Sequence, residues 1–222
     1  MKKIVQNESL AVKAYNLLKN AIISGKLLPD EALPEEKLAK ELGISRTPIR
    51  EALMQLAMEG LVILQKGYPS KVATFTMEES LQFIELRRVL EIYNIERIVS
   101  TADEKLICEL KENANRQMKA VSNDDFQDFI ELDREFHLIL ASRNNNKKIV
   151  ELIHQMNNGV NRAFLILSNT LHSSAKEACE EHLMLIKALE SKDVTLARDC
   201  MIEHMKNVEK RFVTYFSKME DS

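Results

Sequence analysis

The chain has 222 residues, 45% of them hydrophobic, and a formal net charge of −3. These values suit two ordinary globular domains with packed cores, and the charge alone does not announce a nucleic-acid binder. No stretch approaches the roughly 18 uncharged apolar residues of a membrane span, and the start, MKKIVQNESL, lacks the apolar run of a secretory signal.

The three cysteines, Cys108, Cys179 and Cys200, are widely spaced and form no CxxC pair, so reduced thiols in a cytosolic protein are expected. Charge is unevenly spread. Residues 1–76 hold 11 Lys+Arg against 8 Asp+Glu, and the remainder 20 against 26, so a front of +3 precedes a back of −6. That asymmetry fits a DNA-binding head on a body that does not touch DNA. All four prolines (Pro29, Pro34, Pro48, Pro69) and Gly25, Gly43, Gly60 and Gly67 fall in the first 69 residues, leaving only Gly159 beyond. Short elements and turns in front, then an almost unpunctuated remainder, predict an all-helical second domain. The boundary is expected near Thr74–Glu78, where Thr76 and Glu79 form a capping box, dividing the chain into 1–76 and 77–222.

In chain order, Leu10 to Ser24 carries Ala14, Leu18, Ala21 and Ile22 at helical spacing, with Gly25 as its stop. Pro34 opens a second helix, Glu35 to Leu42, terminated by Gly43. Ser45 caps a third, Arg46 to Glu59, with Gly60 just past its end. The runs LVILQ and KVATF around KGYPS then read as a β-hairpin. Helix, glycine turn, helix and hairpin make a winged helix-turn-helix. Ile49, Leu53 and Leu56 face its core, which leaves Arg46, Thr47 and Arg50 outward near the N-terminus of the third helix, where free N–H groups suit phosphate. Arg46 and Arg50 share a face, and an arginine fork bonds guanine O6 and N7 or clamps a phosphate. Lys66, Gly67 and Lys71 on the hairpin would let the wing approach DNA, Gly67 having no side chain to hold it off. Two arginines alone would read as solvated surface charges; the surrounding elements turn them into candidate DNA readers.

The stretch LPEEKLAKELGISRTPIREALMQLAMEGLV resembles the DNA-binding domain of the GntR family of bacterial transcriptional regulators, and SRTPIREAL is close to that family's hallmark. The hairpin QKGYPSKV is similar to the wing of its fatty-acid-responsive members. The likeness runs from Ala14 to Phe75. It implies that Ser45, Arg46, Thr47 and Arg50, with Lys66 and Gly67 in the wing, touch DNA. Some members have a DNA-contacting arginine in the second helix where this chain has Glu36, so no contact is carried over there.

The back part reads as six helices: Glu78–Ser100, Asp103–Val121, Asp124–Ser142, Lys147–Ser168, Ser173–Ser191 and Asp193–Met219. Polar clusters such as Ser122-Asn123-Asp124 and Asn144-Asn145-Asn146 separate them. Asp133 and His137 are four apart, hence on one helical face, and His182 and His204 fall on two further helices. Three helices can bring one carboxylate and three imidazoles together inside a bundle, and such a set suits Zn, Ni, Mn, Fe or Co. By spacing alone a pair such as Asp133 and His137 is more often made of surface charges or capping groups.

The segments RRVLE (87–91), LDREFH (132–137), EHLMLIKALESKD (181–193) and IEHM (202–205) resemble the FCD ligand-binding domain that follows FadR-type GntR heads. That resemblance implies a divalent metal, zinc first among the candidates, held by Asp133, His137, His182 and His204, in the metal-binding branch rather than the acyl-CoA-binding one. It also implies that Arg87 lines the cavity and pairs with an acidic effector. Arg162 and Arg134 are weaker candidates, Arg134 pointing about 100° away from Asp133. His154 and His172 lie outside the motif.

The expectation is a mainly α protein, a winged helix-turn-helix followed by an all-α antiparallel bundle. It would act as a cytoplasmic, homodimeric, non-enzymatic repressor on a pseudo-palindromic DNA operator, controlled by a small carboxylic acid bound at the metal. Two alternatives stand beside it. One is a sensor of the metal itself. The other is a metallohydrolase, against which no general base or nucleophile motif accompanies the Asp/His set.

Overall fold

The computed structural model describes residues 9–23, 26–74, 76–166 and 174–220. The chain divides into two compact units, Met1–Phe75 and Thr76–Ser222.

The first unit runs α1 (Leu10–Ile23), β1 (Ala32–Leu33), α2 (Glu35–Leu42), α3 (Arg46–Met58), β2 (Val62–Ile63) and β3 (Ser70–Val72). The apolar stripes of the helices meet in one core: Ala14, Leu18 and Ile22 of α1, Leu38 of α2, and Ile49, Leu53 and Leu56 of α3. Leu33, Leu61 and Val72 close it from the sheet side. Burial of each large side chain contributes about 1.5–3 kcal/mol. Gly43 ends α2 in the left-handed region at φ 66°. A Cβ there would meet nothing within 4 Å, so conformation rather than crowding selects glycine. Ser45 stands at the N-cap of α3 as expected, but its side chain makes no capping hydrogen bond. The expected stop of α1 at Ser24 and Gly25 lies outside the described residues.

The hairpin strands are shorter than the apolar runs suggest, with Val62 opposite Val72 and Ile63 opposite Lys71. A further strand joins them. Ala32 pairs with Lys71 and Leu33 with Ser70, giving an antiparallel sheet in the order β1-β3-β2. A two-residue strand against Pro34 is too short to show a period of two. It also ties Lys71 down, with Nζ 2.5 Å from Asp30 Oδ1. Lys66 and Gly67 remain exposed at the hairpin tip, Gly67 at φ 79°.

The second unit is helical: α4 (Met77–Ile98) with a 3-10 turn at Val99–Thr101, α5 (Glu104–Ser122), α6 (Phe126–Ser142), α7 (Lys147–Ile166), α8 (Ser174–Ser191) and α9 (Val194–Glu220). Side-chain caps fix the starts. Thr76 accepts from Glu79 N at 3.0 Å, Asp103 from Leu106 N at 2.8 Å, and Asp193 from Leu196 N at 3.0 Å. For α6 the cap is Asp125, bonded to Asp128 N at 3.0 Å, while Asp124 makes the turn at φ 56°. α4 packs on α7 and α9, α5 on α6 and α8, α6 on α7, and α8 on α9. Their core gathers Ile95, Ile98, Leu106, Leu110, Phe136, Leu140, Leu185, Leu189, Met201 and Met205. Among the described residues no helix is long and apolar enough to cross a membrane.

The three cysteines are free, and their surroundings differ sharply. Cys179 is wholly buried, and burial, with the Asp133 carboxylate adding to it, pushes its thiol up to about 12. Only about one Cys179 in ten thousand is then a thiolate at pH 8, whereas Cys108 is exposed. Iodoacetamide at pH 8 is therefore expected to label Cys108 in the native protein and Cys179 only after unfolding, read by peptide mass spectrometry. Equal native labelling of the two would contradict the packing of α8.

Candidate metal centre and DNA-reading surface

Three helices of the second unit converge the predicted ligands. Asp133 and His137 come from α6, His182 from α8 and His204 from α9, and one potential ligand atom from each lies within 4.8 Å of all the others. The three imidazoles are fully buried. Asp133, at 22% exposure, is the only member reached by solvent.

Each imidazole turns Nδ1 outward onto an acceptor. His182 Nδ1 lies 2.8 Å from Gln117 Oε1. The Gln117 amide is oriented by donating to Asn113 Oδ1 at 2.7 Å and to the Leu132 carbonyl at 3.3 Å. His204 Nδ1 lies 2.7 Å from Glu181 Oε2, and Glu181 is itself held by Asn207 and Arg211. His137 Nδ1 lies 3.1 Å from Glu91 Oε1, at an angle too poor for a good hydrogen bond. Burial works to raise the Glu91 and Glu181 carboxyls. Neighbouring His137 and Arg87 in the first case, and His204 and Arg211 in the second, outweigh it and leave both below their ordinary value. Both carboxylates are therefore available as acceptors, and a neutral ring that donates Nδ1–H to such a partner presents Nε2 as a lone pair.

Those lone pairs all face inward. His137 Nε2 and His204 Nε2 stand 3.2 Å apart. His182 Nε2 is buried without a hydrogen-bond partner, 3.5 Å from Asp133 Oδ1. An approach as close as that of His137 and His204 needs a proton on one of the two nitrogens or a cation between them. Two nitrogens bound about 2.1 Å from one ion stand roughly 3.0–3.4 Å apart, which matches the His137–His204 separation. Burial depresses His137, and depresses His182 well below the usual imidazole value, with the Arg87 charge adding to both; the neutral ring is the form a cation needs. The donor set fits a divalent metal.

Arg87, on α4, reaches the edge of this cluster. It is 3% exposed, with Nη2 3.8 Å from Asp133 Oδ2 and Nε 3.6 Å from Glu91 Oε1. Both nitrogens lack a hydrogen-bond partner, a costly state for a buried guanidinium that an anion would relieve. Arg134 is half-buried on another side of α6. It lies close enough to exposed His154 that its charge, after burial, lowers that imidazole. The Arg162 side chain and His172 lie outside the described residues.

In the first unit Ser45, Arg46, Thr47 and Arg50 are all exposed around the first turns of α3. The arginines are not loose. Arg46 Nη2 donates to Glu35 Oε2 at 3.2 Å, and Arg50 grips the same carboxylate through Nε and Nη2 at 3.0 and 2.8 Å.

Against known families, the model described as bacterial regulatory proteins, gntR family, matches residues 10–72, and the FCD domain matches residues 82–207. The chain belongs to the GntR family and carries an FCD domain. A gluconate operon transcriptional repressor from Bacillus licheniformis is 29% identical, over 99% of this chain and 88% of the relative. The Uxu operon regulator of Haemophilus influenzae is 31% identical, over 86% and 77%. The transcriptional repressor RspR of Escherichia coli is 25% identical, over 87% and 85%. The solved structure of E. coli McbR/YncC superposes with a TM-score of 0.73 at 24% identity, covering 96% of this chain and all of that one. This GntR chain is thus a DNA-binding transcriptional regulator, and its relatives are regulators rather than enzymes, which sets the hydrolase reading aside.

Four residues of this GntR chain carry the site without having been singled out by sequence. Glu91 and Glu181 sit inside segments that resemble the family, but only the fold shows them facing imidazoles. Gln117 is a lone amide on a polar helix and gives no signal. Glu35 reads as an ordinary acidic residue of a helix's first turn.

Proposed function

We propose that this regulator is a cytoplasmic, homodimeric repressor whose FCD domain holds a divalent metal, zinc first, on Asp133, His137, His182 and His204, and takes a small carboxylic acid as effector. Ser45, Arg46, Thr47 and Arg50, with Lys66 and Gly67 of the wing, read a pseudo-palindromic operator, one half-site per protomer. The observation that carries the effector reading is Arg87, buried and with two nitrogens that make no hydrogen bond, beside the one solvent-reached residue of the cluster, Asp133. When bound, the metal would supply a positive charge beside Arg87 that attracts a carboxylate. Arg87 supplies the paired donors for its oxygens. The name of the gluconate operon repressor adds support, since gluconate is a carboxylate. An acid that binds one DNA-binding state better than the other shifts the population between them, and repression released by the acid is the direction we favour.

A thermal-shift panel of small organic acids on metal-loaded and EDTA-treated protein tests this reading. A true effector at 100 times its Kd adds about 2.7 kcal/mol, and it should do so only in the metal-loaded form. No shift with any acid, together with DNA binding that follows metal concentration, would make the ion itself the signal.

A further inference from the structure

The arrangement of Glu35 with Arg46 and Arg50 goes beyond which residues reach DNA. Glu35 is the first residue of α2, and its carboxylate accepts three hydrogen bonds from two arginines one turn apart on α3. The pair with Arg50 is bidentate and uses the side edge of the guanidinium, Nε and Nη2. An arginine has five N–H donors. With the side edge committed, the end-on fork formed by Nη1 and the second Nη2 hydrogen stays free, and it projects from a side chain that is 60% exposed. That end-on fork has the spacing that matches guanine O6 and N7 in the major groove. Exposed ion pairs add little to stability, so the consequence of this one lies in orientation. Without a second anchor, the long side chain would sample many rotamers and surrender them on binding.

We propose that Glu35 is a positioning residue for DNA reading: it fixes the plane of the Arg50 guanidinium so that its end-on fork meets a guanine, and holds Arg46 in register beside it. The carboxylate touches no base itself. It also repels nearby phosphates, so its presence lowers affinity for DNA of any sequence while raising the preference for the right one. A mere counter-charge would do only the first of these.

This inference rests on the placement of Arg50 at DNA proposed above, and the test separates the two. The probes are a duplex selected from a random pool by the wild-type protein, a random duplex of the same length, and the selected duplex carrying 7-deazaguanine, which lacks the N7 acceptor. Glu35→Gln is expected to lower the selected-to-random affinity ratio by about tenfold, within what one bidentate arginine–guanine pair contributes. Glu36→Gln removes the same charge from the same helical turn and is expected to leave the ratio unchanged. Wild type should lose affinity on the deaza duplex, and Glu35→Gln should lose less. Glu35→Asp keeps the charge but withdraws it by one methylene; it should lower the ratio too, and it serves if Glu35→Gln does not fold. Equal tightening on both duplexes with an unchanged ratio, or a selected consensus without guanine, overturns the role of Glu35. If Arg50→Ala leaves the selected duplex bound, the placement of Arg50 fails first.

Discussion

Arg50→Ala is expected to weaken binding of the selected duplex by about 30-fold or more and to leave the metal content of the FCD domain unchanged. The size follows from geometry. A bidentate arginine–base contact is worth about 1–3 kcal/mol, and the proposed dimer would lose it in both half-sites, so about 30-fold to above 10⁴-fold disappears. Folding should survive, because the Arg50 side chain is 60% exposed and the core face of α3 rests on Ile49, Leu53 and Leu56. The Glu35 carboxylate is left with Arg46 alone, near solvent, at little cost in stability. Fluorescence anisotropy with the selected duplex, alongside metal analysis of the same sample, checks both halves. Binding within a few-fold of wild type would remove Arg50 from the reading surface.

His182→Ala produces the complementary phenotype. Wild type should carry one divalent ion per chain, and EDTA should lower its melting temperature. The variant loses one of the four proposed ligands and leaves the oriented Gln117 carbonyl without its imidazole partner. Its metal affinity should fall by more than the roughly 10–100-fold that loss of an outer partner alone costs. Gln117→Ala, which touches only that outer partner, should fall within that range. Competition with a chromophoric chelator ranks the three proteins. His182 is fully buried and stacked on Phe136, with ring centroids 4.1 Å apart, so truncation also leaves a void. The smaller Gln117→Ala effect guards against reading misfolding as metal loss. Equal metal affinity in all three would mean that the inward-facing nitrogens do not bind the ion.

Much of this architecture is legible in the sequence because its signals are local. Helix starts are written in single side chains, such as Thr76, Asp103 and Asp193, and the core face of α3 in the spacing of Ile49, Leu53 and Leu56. The Asp133–His137 pair is legible for the same reason, one helical turn binding both to one face. What the sequence hides is long-range. Strand β1 exists only because β3 supplies its hydrogen bonds, and two residues before a proline carry no periodicity of their own. The outer partners of the imidazoles come from three different helices, at Glu91, Gln117 and Glu181. Nothing in the neighbourhood of Gln117 distinguishes it from other polar positions of α5. Glu35 is hidden in the same way: a first-turn glutamate is satisfied locally by its own helix, and only the crossing of α2 and α3 shows that it holds two arginines.

The most direct test of the whole account is an anisotropy titration of the selected duplex with an acid that stabilises the metal-loaded protein, run in parallel on wild type, EDTA-treated wild type and Arg87→Ala. The acid is expected to release the duplex from metal-loaded wild type and to have no such effect on the other two, all three binding the duplex in its absence. Release that is equally strong after metal removal and in Arg87→Ala would contradict it, and would put the signal somewhere other than the buried arginine and its three histidines.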